Sequence, residues 1–148
     1  MVNIGNYYLI NHLVLLTGLT DRTIRSYLSA GILHGEKING IWHFTPEQVD
    51  AFIRHPAVRP SILAKHHAVV YDFLSNTHQG NSEVCMIIEL HGGNKKDIAE
   101  YFCYTISSES LNNIQFRFDG ASEVPRVILE GSMAEVLQLV NGYRALSE

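Results

Sequence analysis

The sequence predicts an α+β protein made of two modules. The first contains short helices and one β-hairpin, and the second contains a three-stranded sheet with helices on one face. The prediction depends on apolar residues at helical spacing, on an Asn-Gly pair between two extended segments, and on three further strand-like segments. We place the boundary between residues 1–58 and 59–148, where Pro56 and Pro60 interrupt the chain.

Composition and charge limit the class of protein. The 148 residues are 46% hydrophobic and 18% charged, which excludes a disordered chain. No apolar run approaches the roughly 20 residues of a membrane-spanning helix, and the first residues lack the pattern of a signal peptide. Residues 1–60 carry five basic and four acidic side chains, against six and eleven in 61–148. We therefore expect a cytoplasmic protein, free of membrane, whose two modules have different roles.

The first module begins with two helices. The first helix spans residues 8–17 and ends at Gly18, and the second spans 21–30 with Thr20 as its N-cap. Two helices joined by a short turn around a glycine form a helix-turn-helix pattern. The residues expected to face inward are Leu9, Leu13, Leu16, Ile24, Tyr27 and Leu28.

A hairpin and a third helix follow. Residues 32–33 and 41–44 flank Asn39-Gly40, the strongest short-range signal for a tight β-turn. Thr45 as N-cap, Pro46 at the first helical position and Gln48 three residues after the cap start another helix, which ends near His55. Its apolar face consists of Val49, Phe52 and Ile53.

The string LTGLTDRTIRSY from Leu16 to Tyr27, followed by GIL at 31–33, resembles the winged helix-turn-helix of the MerR family of transcription regulators. The Asn39-Gly40 hairpin and the helix that starts at Pro46 continue the resemblance, which covers about residues 8–54. Related excisionases share this pattern. The resemblance implies double-stranded DNA as a partner, whereas the second module resembles no family.

The second helix carries side chains suited to DNA. Arginines reach phosphates and base edges, and hydroxyl groups form short hydrogen bonds there. Outside this motif the two arginines would be interpreted as solvated surface charges, and Tyr27 either packs under the helix or points its hydroxyl at a phosphate. The predicted contacts from this helix are Thr20, Arg22, Thr23, Arg25, Ser26 and Tyr27.

The hairpin is predicted to touch the flanking DNA backbone through Lys37, Asn39 and His43. MerR-like wings usually carry arginines after Asn-Gly, but here Ile41 and Trp42 occupy those positions, and Trp42 is expected to pack in the core. This departure predicts modest affinity or dependence on a dimer.

The second module is predicted to begin with an amphipathic helix over residues 61–76, which is too short for a coiled coil alone. Strands follow at 83–90, 113–118 and 124–130, with a helix capped by Asn94 after the first strand and a helix capped by Ser132 after the last. Exposed sheet edges are usually covered, so we expect a homodimer that uses this module. The residues expected to face inward are Ile62, Val69, Val70, Phe73 and Leu74 in the first helix, Ile98, Phe102 and Ile106 in the second, and Met133, Val136, Leu137 and Val140 in the last.

The sequence was also searched for metal, anion and catalytic sites. The histidines and cysteines lack the spacing of metal ligands, so we expect no metal or cofactor and interpret the cysteines as structural thiols. Gly92-Gly93-Asn94 with Lys95 and Lys96 has the features of an anion site, but we interpret it as an ordinary loop and cap. No catalytic motif occurs, so we expect no enzyme. The side chains considered for a metal are His66, His67, His78, His91, Cys85 and Cys103.

These observations predict a sequence-specific DNA-binding transcription regulator of MerR-like type that acts as a homodimer. A small-molecule or protein effector for the second module stays open. Two alternatives also stay open: an accessory DNA-bending factor of a phage or mobile element, and a protein-interaction module with a degenerate winged helix.

Overall fold

A computed structural model describes residues 7–76, 82–109, 111 and 113–147. This part of the chain contains six helices, a two-stranded hairpin and a three-stranded antiparallel sheet, which confirms the predicted α+β class. The elements are α1 (Ile10–Thr17), α2 (Asp21–Ser29), β1 (Glu36–Ile38), β2 (Ile41–His43), α3 (Pro46–Arg54), α4 (Arg59–Ser75), β3 (Glu83–Glu89), α5 (Lys95–Ser108), β4 (Gln115–Asp119), β5 (Arg126–Ser132) and α6 (Met133–Ser147).

The turn between α1 and α2 forms as predicted. Gly18 has a φ of 81°, which closes α1, and its N–H donates to the carbonyl of Val14 at 2.9 Å. The Thr20 hydroxyl oxygen accepts a hydrogen bond from the Thr23 N–H at 3.1 Å, so Thr20 is the N-cap of α2. Leu13, Leu16 and Ile24 are buried, and together they fix how the two helices pack.

The hairpin turns at Asn39-Gly40, where φ is 51° and 80°, and Lys37 lies opposite Trp42. The first strand is 36–38, so its predicted position at 32–33 is wrong. The N–H groups of residues 32 and 33 donate to the Tyr27 carbonyl instead, and Leu33 is 2% exposed in the core. These two residues therefore close α2.

The predicted start of α3 is confirmed in detail. The Thr45 hydroxyl oxygen accepts from the Gln48 N–H at 3.1 Å, and the Gln48 side chain accepts from the Thr45 N–H at 2.9 Å. The helix ends at Arg54, with His55 as C-cap, and its predicted apolar residues Val49, Phe52 and Ile53 are buried.

The three-stranded sheet has the order β3-β5-β4, with β5 in the centre. Phe116 and Leu129 pair on one face, which α5 and α6 cover. Arg117 and Ile128 pair on the other face, and α4 lies against it. The prediction that helices cover only one face is therefore wrong, because Ile128 is apolar and 7% exposed and needs cover on its own side.

Three apolar side chains predicted to face inward are exposed. Leu74 on α4 is 78% exposed, while Met133 and Leu137 on α6 are 45% and 41% exposed. α6 packs through Val136, as predicted, and through Leu139, which was not predicted and lies three residues further on the same face. Most other predicted core positions of this module, including Ile62, Val69, Ile98, Phe102 and Ile106, are buried.

The two predicted modules are in direct contact. α1 lies against β4 and α5, and the buried residues of both modules form one cluster. The Arg59 guanidinium donates to both carboxylate oxygens of Asp119, at 2.9 and 3.0 Å. Arg54 donates to the carbonyls of Gly120 and Ala121, at 3.2 and 3.3 Å. This packing fixes α1, and through it α2, on the sheet.

Candidate nucleic-acid interface

The exposed face of α2 holds most of the predicted DNA contacts. Arg22, Arg25 and Ser26 are exposed, and Thr23 is half-buried. Ile24, on the opposite side of the helix, is fully buried and fixes the orientation of this face. Two guanidinium groups and several hydroxyls therefore lie together on one turn-and-a-half of helix.

Arg25 already has a partner on its own helix. Its Nε lies 2.6 Å from Oδ1 of Asp21, and both side chains are more than half exposed, at 56% and 58%. Exposed i,i+4 pairs contribute only about 0.3–0.5 kcal/mol, so DNA can replace this carboxylate. Asp21 and Arg25 are four residues apart on one helix, a spacing that predicts this ion pair from the sequence. Arg22 forms no ion pair with any of the described residues.

The hydroxyl groups of α2 bond within the helix. The Thr20 hydroxyl donates to Oγ1 of Thr23 at 2.9 Å, and the Ser26 hydroxyl donates to the Thr23 carbonyl at 2.7 Å. Hydroxyl oxygens keep lone pairs after donating, so they remain acceptors for base amino groups. Tyr27 packs edge-to-face on Phe52 with ring centroids 5.5 Å apart. This contact favours a packing role for Tyr27 under the helix over a contact of its hydroxyl with a phosphate.

The hairpin residues form a second group. Lys37 Nζ lies 5.8 Å from the centre of the Trp42 ring, at cation–π distance. Asn39 is exposed in the turn, and His43 Nδ1 lies 2.9 Å from the Ile41 carbonyl, to which it donates. Within the described part of the chain, no hydrogen bond or ion pair joins these residues to the α2 group.

Backbone bonds still anchor the hairpin. Tyr8 and Phe44 exchange two hydrogen bonds, at 2.6 and 2.8 Å, so the segment before α1 extends the hairpin by one bridge. The tip is apolar on both strands: Ile38 is 36% exposed and Ile41, its cross-strand partner, is 54% exposed. Lys37 is the one Lys or Arg side chain between residues 36 and 43.

Lys65 is a candidate contact that sequence reasoning missed. It is exposed on α4, and its Cβ lies 2.9 Å from where a Cβ on Gly18 would be, beside the α1–α2 turn. Arg117 reaches the same glycine, but it is half-buried, its Nη1 donates to the Phe116 carbonyl at 2.7 Å, and burial lowers its pKa. No local sequence pattern predicts these neighbours, because α4 and β4 are distant along the chain.

The histidines and cysteines considered for a metal are dispersed. Among the residues that the structure describes, no three His, Cys, Asp or Glu side chains converge in a way that would hold an ion; His78 lies outside them. Cys103 is fully buried, and burial raises the pKa of its thiol. Cys85 is half-buried in β3, and burial also raises its pKa.

None of the described helices combines the length and apolar composition that crossing a membrane requires. Comparison of the chain with protein-family models, with curated proteins and with solved structures found no match.

Proposed function

We propose that the protein is a sequence-specific DNA-binding transcription regulator of MerR-like type, in which residues 8–54 form a winged helix-turn-helix. The observation that carries the proposal is the outer face of α2, where Arg22 and Arg25 project opposite the buried Ile24. α2 is the second of two helices joined by a tight turn, and a hairpin follows it. In proteins of this type, the second helix enters the major groove.

Each side chain then has a role set by its environment. Arg22 contacts a base edge or a phosphate, and Arg25 exchanges Asp21 for the same kind of acceptor. Thr20, Thr23 and Ser26 accept from base amino groups, and Tyr27 supports the helix through Phe52. The expected backbone contacts are Lys37, Asn39 and His43 from the hairpin and Lys65 beside the turn.

We propose that the regulator is a homodimer joined through the second module. The C-terminal half of α4 supports this, because Tyr71 and Leu74 are 70% and 78% exposed although both are large and apolar. A two-fold axis at this helix presents two copies of α2 to half-sites about one helical turn apart.

The test starts from DNA sequences selected from a random pool with the full chain. Arg22→Ala and Arg25→Ala are each expected to weaken binding to the selected site by about 1–3 kcal/mol, because a guanidinium on a base edge discriminates by that amount. Fluorescence anisotropy measures the affinity over a range of salt concentrations. Arg126→Ala, which removes from β5 an arginine whose side chain is 43% exposed, is the matched control and is expected to leave affinity unchanged. Unchanged binding in both α2 variants contradicts the proposed interface.

The variant Asp21→Asn tests whether Arg25 contacts DNA or is a solvated surface charge. It frees Arg25 and removes a carboxylate, so binding is expected to tighten by about two- to fivefold. In an Arg25→Ala background the gain is expected to shrink, because the released guanidinium is absent. An equal gain in both backgrounds would mean that Arg25 stays in solvent.

A protein-interaction module is the second candidate, and the hairpin tip favours it. Ile38 and Ile41 are exposed there with a single lysine nearby, whereas phosphate contacts need cations. If the protein is such a module, we expect it not to retard DNA in a gel at low salt. We also expect a protein partner that binds the wild-type chain but not the Ile41→Ser variant.

A further inference from the structure

A cavity of about 400 Å³ lies between α3, the beginning of α5 and the end of β4. Its volume is within the range of about 300–1,000 Å³ that is typical for small-molecule sites. Side chains from both modules meet there, since α3 belongs to the first and α5 to the second. Its apolar lining comes from Leu16, Val49, Ile53, Ala99 and Phe118.

Two lysines line the cavity from the first turn of α5. Lys95 and Lys96 stand at a helix N-terminus, where the helix dipole disfavours positive charge unless an anion is present. Lys96 Nζ lies 3.5 Å from Glu100, and Lys95 forms no ion pair with the residues described. Asp97, in the same turn, is exposed and does not line the cavity. The lining of the cavity therefore includes the two lysines of this turn but not Asp97, although, besides burial, the carboxylates of Glu100 and Asp97 are close enough to Tyr8 to help raise its pKa.

Tyr8 supplies an independent polar group. This side chain lines the cavity, is 2% exposed, and its hydroxyl forms no hydrogen bond within the described ranges of the chain. Burial raises the pKa of Tyr8, so the hydroxyl keeps its proton and is a donor. A ligand in the cavity can therefore accept a hydrogen bond from this hydroxyl, which has no acceptor among the described residues.

The acidic side chains on the opposite wall do not require a cationic ligand. The single Nε–H of Arg54 is shared between the two carboxylate oxygens of Asp50, at 2.9 and 3.0 Å. Glu47 is exposed in the first turn of α3, where the helix dipole stabilises a carboxylate. Lys95 is therefore the lining cation that has no carboxylate partner among the described residues.

We propose that this cavity binds a small organic monocarboxylate, with its apolar body against the apolar lining and its carboxylate near Lys95 and Lys96. The Tyr8 hydroxyl donates a further hydrogen bond to the ligand. The site gives a location and a chemical class to the small-molecule effector. Its effector role depends on the proposed DNA-binding function, whereas the binding of the ligand does not.

The test is calorimetric titration of the full chain without DNA, with 2-naphthoate as the probe. Saturable one-to-one binding is expected, at least about tenfold tighter than that of 2-naphthalenemethanol, which has the same ring system without the charge. The ammonium analogue, 2-naphthylmethylamine, is expected to bind more weakly than either. Because no DNA is present, failure of this test is distinct from failure of the proposed function.

Variants locate the site. The double variant Lys95→Gln/Lys96→Gln is expected to weaken 2-naphthoate binding at least about tenfold, and Tyr8→Phe about three- to tenfold, since each removes a hydrogen bond to a charged group. Arg126→Gln is the matched control, because it removes a cation that does not line the cavity. Ala51→Phe fills the cavity from an exposed position on α3 and should abolish binding without loss of the circular dichroism of the fold.

Absence of saturable binding to the wild-type chain overturns the proposal. Preference for the ammonium analogue also overturns it, since the acidic wall would then dominate. Binding that survives both the double lysine variant and Ala51→Phe overturns it as well, because the probe would then lie elsewhere.

Discussion

Two buried histidines must be neutral in this fold. Nδ1 of His12 accepts a hydrogen bond from the Leu9 N–H at 3.0 Å, so its proton is on Nε2. Nε2 of His66 lies 3.2 Å from the Leu16 carbonyl, to which it donates. Both residues are 3% exposed, and burial lowers the pKa of each to about 4.

These histidines predict a loss of stability on mild acidification. A histidine whose pKa is lowered on folding contributes stability above its unfolded pKa of 6.5, and this is lost as the pH falls towards 4. Between about pH 7 and about pH 5 we expect the free energy of unfolding to fall by about 2 kcal/mol for each histidine. Urea denaturation at the two pH values measures it.

The control for this pH dependence is the double variant His12→Gln/His66→Gln, in which most of the slope should disappear. Asp119 does not interfere. Burial tends to raise the pKa of that carboxyl, but hydrogen bonds from Arg59 leave it below its usual 3.8, so its contribution is lost only at lower pH. Equal stability of the wild type at both pH values would mean that the histidines are not held neutral.

Gly18 is required both by its backbone angle and by its neighbours. Its φ is 81°, and a Cβ there would collide with Arg117 and with Cβ of Lys65. We expect Gly18→Ala to lower the free energy of unfolding by about 2–3 kcal/mol, of which about 1 kcal/mol is backbone strain. Gly31→Ala is the control for strain alone, because its φ is 77° and nothing lies within 4 Å. Equal losses in the two variants, measured by urea denaturation, would show that α4 and β4 tolerate the added methyl group.

At the scale of elements, α4 is where the proposed dimer can be tested. Leu74 is 78% exposed, so Leu74→Glu should fold normally and still separate the subunits by placing a charge in an apolar contact. Sedimentation velocity at micromolar concentration is expected to give a dimer for the wild type and a monomer for this variant. Ser75→Glu places the same charge on the adjacent exposed residue and should leave the dimer intact. A monomeric wild type would contradict the homodimer.

Elements defined by neighbouring residues could be predicted from the sequence. The caps at Thr20, Thr45 and Ser132 and the turn at Asn39-Gly40 each depend on contacts within about four residues, and all four are present. The same holds for the exposed face of α2, since Ile24 alone orients it. Local chemistry is sufficient in these places.

Features that depend on contacts between elements distant along the chain could not be predicted from the sequence. Leu137 and Leu139 are both leucines of α6, yet only the position of the sheet decides which one is buried. The second covered face of the sheet follows from where α4 lies, and so does the approach of Lys65 to Gly18. The cavity beside Tyr8 likewise takes its lining from four separate elements and the segment before them.

At the scale of the whole molecule, arginine hydrogen bonds support the shared core. Arg54 of the first module donates to the carbonyls of Gly120 and Ala121, and the next bond along the chain fixes the start of the second module. Asp119 is 6% exposed and accepts two hydrogen bonds from Arg59, the first residue of α4. Bidentate pairs of this kind are strong when buried, and loss of one partner leaves a charge without compensation. The bond therefore holds the start of α4, directly after the first module, against the end of β4.

This packing predicts a single cooperative unfolding transition. Trp42 is the one tryptophan of the chain and lies in the hairpin, so its fluorescence reports the first module, while far-UV circular dichroism reports all helices. In urea the two midpoints are expected to coincide. Asp119→Asn weakens the pair with Arg59 and should lower the free energy of unfolding by about 2 kcal/mol. Both urea midpoints should therefore fall together. A fluorescence midpoint below the dichroism midpoint would mean that the hairpin module unfolds by itself, and the shared core around α1 would then not couple the modules.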